Sequence, residues 1–201
     1  LSAAFILEEG FAIESLQRIV VSMRQACDEA GVTLVTGDTK VVDRGKGDEV
    51  FITTTGIGLH AANRELSIRN ARPGDQIIVS GTIGDHGMTI MSTREGIEFE
   101  TALESDTAPL NDLTRVMLDA CGGVSSTLNE LATASKVGIS LDEASIPVRA
   151  EVHSACEMLG LDPMYVANEG KLIVVVPEQD CQSLLTVMKQ HSRGRDAAGI
   201  G

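Results

Sequence analysis

Between residues 13 and 30 the apolar positions fall on one helical stripe. Ile13, Leu16, Ile19, Val20, Met23, Cys27 and Ala30 recur at that spacing, and Gly31 stands where a helix C-terminus favours glycine. Ahead of it, LSAAFILEEG is an apolar run cut off at its start, which reads as a strand in need of an earlier partner. VTLVT (32–36) predicts a buried strand and VFITTTGIGL (50–59) a second, β-branched one. The polar stretch HAANRELSIRNARPG (60–74) ends in a Pro-Gly turn and predicts a domain boundary, with domains over 1–62 and 73–201. Beyond it, DQIIVSG predicts a strand running into TIGDHG, with a helix from about Met88. Amphipathic periods predict further helices over 109–120, with Leu110, Leu113, Met117 and Ala120 on one face, and over 124–134, 149–159 and 178–190. LIVVV (172–176) is the remaining strand, and CGG (121–123) leaves two helices very little turn.

These elements imply an α/β chain with mixed sheets in two domains. The charge, 29 acidic against 16 basic residues for a net of −13, argues against nucleic acid or an anionic membrane as the main partner. Aromatic residues make up 2% of the chain and tryptophan is absent, which leaves little material for stacking on nucleic-acid bases. No stretch has the length of a membrane span, and no basic region precedes the first apolar residues, so no targeting signal is read and a cytoplasmic location is expected. Cys27, Cys121, Cys156 and Cys181 are widely separated with no C-x-x-C pair. That spacing disfavours a zinc site and fits reduced thiols, with Cys27 and Cys181 as small buried hydrophobes on helix stripes.

Three segments can carry chemistry. In TGDTK (36–40), at the end of a predicted strand, Asp38 can hold a divalent cation and Lys40 can meet a phosphate or move a proton; a solvated turn is the alternative. The dense charge that follows, Asp43, Arg44, Lys46, Asp48 and Glu49, joins two strands. In SGTIGDHG (80–87), glycines let the backbone approach a ligand beside a helix N-terminus suited to phosphate, while Asp85 and His86 supply an acceptor and a titratable ring; helix capping or plain surface exposure is the alternative for His86. In YVANEGKL (165–172), Asn168, Glu169 and Lys171 crowd one loop. A lysine and a carboxylate brought together from separate loops tune each other for proton transfer, whereas an exposed ion pair there would contribute little.

Together LSAAFILEEG, VTGDTKVVDRGKGD, FITTTGIG, SGTIGDHGMTIMSTREG, NELA, IPVR, CEMLGLDPMYVANEGKL and GRDAAGIG resemble the hydrogenase expression/formation protein E family, in register over essentially the whole chain. The resemblance implies the carbamoyl dehydratase of nickel–iron hydrogenase maturation, with a two-domain α/β fold like that of aminoimidazole ribonucleotide synthetase and selenophosphate synthetase. It implies a homodimer formed through the N-terminal domains, ATP with Mg²⁺ in the cleft, and partnership with a carbamoyltransferase and with iron-carrying maturation proteins. In the implied reaction a carbamoyl group on a C-terminal cysteine is dehydrated to a thiocyanate, the source of a cyanide ligand for iron. Carried over by motif, Lys40 and Glu169 handle the protons. Asp38, Thr39, Asp85 and His86 lie near the phosphates and Mg²⁺, with Asp38 as the metal-binding carboxylate. Asn168 and Lys171 support their loop.

The chain departs from the family pattern in three places. The N-terminal segment with its Asn-Asp motif is not here, Cys121 directly abuts Gly122-Gly123 where an Asp-x-Thr-Arg-Gly-Gly loop is expected, and no Pro-Arg-Ile-Cys tail follows Gly201. An incomplete chain is therefore expected. Other readings are an ATP-dependent synthetase of a small phosphorylated metabolite and a non-catalytic maturation scaffold, and the retention of Lys40 and Glu169 counts against the scaffold.

Overall fold

A computed structural model describes residues 1–59, 66–96, 103–120 and 128–201. The CGG turn and the start of the helix expected over 124–134 lie outside the described residues. The chain divides into two compact units, Leu1–Ala61 and Ala62–Gly201.

The first unit is a three-stranded sheet and one helix. β1 (Ser2–Glu8) is central, parallel to β2 (Thr36–Val42) and antiparallel to β3 (Val50–Thr55). The apolar first strand thus takes both its partners from later in the chain. Joining two parallel strands requires a crossover, which α1 (Ile13–Ala30) supplies. Its stripe Leu16, Ile19, Met23, Cys27 and Ala30 is half-buried. Gly31 closes it at φ 64°, with the amides of Gly31 and Val32 returning to the carbonyls of Asp28 and Cys27.

The strand expected over 32–36 is instead β2, beginning at Thr36. Helix length explains the shift. Eighteen residues of α1 rise about 27 Å, whereas the seven residues of β1 extend about 23 Å. The chain therefore overshoots the start of β1 and returns through 31–35, where Thr33 accepts from the Leu1 amino group and Val35 donates to the Leu1 carbonyl. Pairing starts only when Thr36 reaches Ser2.

Because β2 and β3 flank β1, the charged segment 43–49 crosses the end of β1. Glu8, the last residue of that strand, grips it: Oε1 accepts from the Gly45 amide at 2.6 Å and Oε2 from the Glu49 amide at 3.4 Å. The Glu8 amide in turn donates to the Glu49 carbonyl at 2.8 Å.

The second unit centres on β4 (Asp75–Val79), antiparallel to β5 (Ile173–Pro177) on one side and to β6 (Ala198–Gly199) on the other. The consecutive apolar residues of β4 are buried on both faces of the sheet. Ile78 packs with Leu113 and Met117 of α3 (Asn111–Ala120) and Leu184 and Met188 of α6 (Glu178–Gln190). Ile77 and Val79 pack with Ile200 on the other face. A separate cluster joins Met88 of α2 (Asp85–Glu95) to Val152, Ala155 and Cys156 of α5 (Ala150–Leu159). α4 (Leu128–Ser135) buries Leu131. The two-residue β6, Ala-Gly in composition, carries no strand pattern of its own. It is recruited by the open edge of β4, where Ile77 exchanges hydrogen bonds with Ile200 and Gly201.

Burial pushes the Cys156 thiol up, reinforced by the nearby Asp162 carboxylate, and burial alone raises Cys181 against the main core. Both therefore behave as packing residues rather than as thiolates. Cys27 is only half-buried, because the stripe of α1 is less enclosed than its pattern predicts.

The grip of Glu8 gives a pH-dependent prediction. The amides of Gly45 and Glu49 hold its carboxyl below the ordinary 4.5, with Arg44 adding to the effect. A depressed folded-state value means that the contact stabilises above the unfolded value and is lost as pH falls through the folded one. The Gly45 amide resonance should titrate with a midpoint below that ordinary 4.5, and Glu8→Gln should abolish the titration.

Candidate active site

In the first unit TGDTK is strand, not a loop beyond one, and strand alternation sorts its side chains. The register sets Asp38 beside Ala4 and Thr53, and Lys40 beside Ile6 and Phe51. Asp38 and Lys40 therefore share one face of the sheet. Thr39, beside Phe5 and Ile52, belongs to the other face with the buried Ala3 and Leu7. The expected grouping of Thr39 with Asp38 is thus split; what Thr39 offers Asp38 is its amide, donated to Oδ1 at 2.8 Å. Lys40 is exposed and forms no ion pair among the described residues.

In the second unit SGTIGDHG and ANEGKL form a single joint. At the end of β4 the fully buried Ser80 donates its amide to the Leu172 carbonyl and accepts the Leu172 amide on Oγ, both at 2.9 Å. Gly84, at φ 85°, caps α2 and donates its amide to Asn168 Oδ1 at 2.7 Å; the Gly87 amide donates to the Ala167 carbonyl at 3.0 Å. Asn168 also donates through Nδ2 to the Val166 carbonyl. At the helix N-terminus expected to suit a phosphate, the ANEGK loop thus takes two of the amides.

Asp85 is equally committed. Its carboxylate is 1% exposed, Oδ1 accepts from Arg149 Nε at 2.6 Å, and Oδ2 accepts from the Thr82 hydroxyl. A buried carboxylate between two donors anchors a turn. Lys171 Nζ lies 4.0 Å from Asp85 Oδ2 and 3.0 Å from Asp106 Oδ2. His86 bonds through Nδ1 to Ser105 Oγ at 2.8 Å, and its ring borders a cleft with Ile90, Met91 and Tyr165.

Glu169 stands between two fixed points of this joint. Asn168 is tied to Gly84 on one side, and on the other Gly170 is buried so closely on the Asp106 backbone that an added Cβ would overlap the Asp106 carbonyl. Glu169 itself is exposed and has no ion pair or hydrogen bond among the described residues. A carboxylate displayed on an immobilised loop, with its lone pairs free, can accept a proton from a bound ligand.

Sequence reasoning missed Asp106, Arg149, Ser80 and Ser105. The pairings of Asp106 with Lys171 and of Arg149 with Asp85 span more than sixty positions, and periodicity does not register such separations. The available signal was IPVR, which sits inside the family resemblance and places Arg149 at the start of α5. Among the described residues no group of three or more His, Cys, Asp or Glu side chains could hold a metal. Asp38, a lone exposed carboxylate with Oδ2 open, suits Mg²⁺ only in a shell completed by water and phosphate oxygens.

Residues 72–201 match the family "AIR synthase related protein, C-terminal domain", and residues 1–60 match its N-terminal counterpart. The whole chain is 55% identical to the "Carbamoyl dehydratase HypE" of Azotobacter vinelandii and covers 62% of it. It also superposes on a chain of the "HypE-HypF complex" crystal structure with a TM-score of 0.94, at 47% identity over 100% of this chain and 69% of that one. The chain belongs to the HypE family. A HypE solved "in complex with ATP" aligns with a TM-score of 0.93 at 45% identity, over 100% of this chain and 63% of that one. The present chain spans about 62% of the length of these curated relatives. The family fold agrees with the expected α/β architecture.

Gly170→Ala tests the tightness of the joint. Its Cβ meets backbone, which cannot swing aside, so the substitution should cost about 1–3 kcal/mol in thermal unfolding. Gly138→Ala, into open space without left-handed φ, should leave the midpoint unchanged.

Proposed function

We propose that this chain carries the reacting groups of an ATP-dependent carbamoyl dehydratase, which converts an S-carbamoylated cysteine into a thiocyanate for hydrogenase maturation. The observation that carries the reading is identity of 55% over the whole chain to a carbamoyl dehydratase, with Lys40 and Glu169 both exposed on ordered backbone.

In the net change, the carbamoyl C–O bond breaks and the nitrogen gives up both its protons, leaving sulfur bonded to a carbon triply bonded to nitrogen. ATP, when bound, supplies the phosphoryl group that turns the carbamoyl oxygen into phosphate as leaving group. Lys40 and Glu169 handle the two protons, Glu169 accepting through its free carboxylate and Lys40 accepting only in its neutral amine form. Asp38, sharing a sheet face with Lys40, is the carboxylate that would hold Mg²⁺. Asp85 serves instead as an anchor for the turn, and Thr39 contributes only its amide to Asp38. His86, bordering its cleft, keeps a ligand-facing role near the phosphates. Asn168 and Lys171 hold the loop that displays Glu169. The relative solved with ATP supports the nucleotide requirement.

On one face of its small sheet the first unit leaves the paired Ile6 and Phe51 44% and 51% exposed. That apolar surface supports a homodimer formed through this unit. The relative crystallised in the HypE-HypF complex supports a carbamoyltransferase as partner, and iron-carrying maturation proteins follow from the proposed product. Among the described residues no helix is long and apolar enough to cross a membrane, and a cytoplasmic location accords with this role.

In the full-length protein supplied with the carbamoyltransferase, carbamoyl phosphate and ATP, intact mass should first rise by one carbamoyl group and then fall by one water. Lys40→Ala and Glu169→Ala should accept the carbamoyl group and keep the water. Normal dehydration in both variants would overturn the assigned roles.

A further inference from the structure

Asp106 lies in the segment 103–110 ahead of α3, outside every motif considered above. Its side chain is 5% exposed, and neither carboxylate oxygen accepts a hydrogen bond among the described residues. Its counter-charge among the described residues is Lys171 Nζ, 3.0 Å from Oδ2 but out of line for a hydrogen bond. A buried carboxylate held only by charge keeps the lysine tethered, because losing that partner would leave the ion alone in a poorly solvated place. The lysine is itself 17% exposed and lies over Gly81, so it has little room to turn outward.

The same short segment touches the joint at two more points. The Asp106 carbonyl and the Ala108 amide press against Gly170, and Ser105 Oγ bonds His86 Nδ1 and the Thr107 hydroxyl, each at 2.8 Å. Residues 105–108 therefore form a floor beneath both GDHG and ANEGK. Glu169 is bracketed by Asn168, which is fixed to Gly84, and by Gly170 and Lys171, which are fixed to Asp106. Of these restraints on the C-terminal side of Glu169, the Asp106–Lys171 pair is the ionic one.

We propose that Asp106 is the positioning residue for Glu169, acting through the Lys171 ammonium and the Gly170 backbone to hold the carboxylate where it accepts its proton. The inference rests on the reading of Glu169 as a base. A base displaced by about 1 Å loses on the order of a hundredfold in rate without losing substrate affinity. Since Asp106 and Lys171 act as a unit, their effects are not additive.

The test is steady-state dehydration by the full-length protein, with Asp106→Asn, Lys171→Met, the double variant, Lys171→Arg and Glu169→Gln measured in parallel with thermal midpoints. Asp106→Asn and Lys171→Met should each lower kcat tenfold or more with KM for ATP within twofold. The double variant should be no worse than the poorer single one, and Lys171→Arg should recover part of the rate. Asp112→Asn, which breaks only an exposed pair with Arg115 on α3, should change neither constant. An inactive Glu169→Gln beside Asp106→Asn within twofold of wild type would overturn the inference alone. Additive losses, or losses that merely track the folded fraction, would do the same. A fully active Glu169→Gln would overturn the role of Glu169 and this inference with it. Should Asp106→Asn fail to fold, the comparison of Lys171→Arg with Lys171→Met decides: equal loss in both would overturn the tether.

Discussion

A carboxylate that is 1% exposed must be surrounded by donors, and the second unit is arranged around meeting that demand for Asp85. Its two oxygens take Arg149 and Thr82, and Lys171 stands 4.0 Å away with Asp106 on its far side. Two acidic and two basic side chains thus gather in one place, with formal charges that cancel. The arrangement draws from four separate stretches of chain: the start of α2, the segment before α3, the start of α5 and the entry to β5. Packing alone would hold these elements together through three apolar clusters. The charges do something packing does not: they fix the direction in which loops leave the core.

That division of labour separates displayed groups from anchoring ones. Lys40 and Glu169 are exposed, and neither has an ion pair among the described residues. Each is flanked by restrained neighbours, through the β1–β2 register for Lys40 and through the Asn168 side chain bonded to the Gly84 amide for Glu169. A carboxylate that must accept a proton from a ligand, as Glu169 does, gains from this combination, because its own lone pairs stay available while its position is set by neighbours. By contrast, Asp85 has spent its hydrogen-bonding, and Lys171 its charge, within the protein.

Much of the architecture was legible from pattern. α5 and α6 fall within about a residue of their apolar periods, since a helix that buries one stripe writes it into every third or fourth position. The run IIV of β4, buried on both faces, was equally plain. β2 was misplaced because its seven residues, TGDTKVV, contain a glycine and two charges, while the more strand-like VTLV is used to bring the chain back from an overlong helix. β6 was invisible because its pairing is supplied wholly by its neighbour's open edge. At the site, Lys40 and Glu169 came from motif resemblance. The four-charge cluster was legible only in part, because Asp106 and Arg149 have no local pattern that distinguishes them from solvated charges.

The joint also explains why the motif combination carries more information than any one piece. GDHG read alone is a glycine turn before a helix, and the turn amides look free for phosphate. In place, Gly84 and Gly87 donate to the ANEGK loop, Asp85 receives Arg149 of IPVR, and Ile83 donates its amide to Pro147 of the same segment. Each motif is therefore the complement of the others: asparagine accepts what the turn donates, and arginine neutralises what the turn buries. A chain with GDHG alone would leave a buried carboxylate and two amides without partners, a deficit of several kcal/mol. The three segments specify one another chemically, and what they jointly hold in place is the loop that displays Glu169.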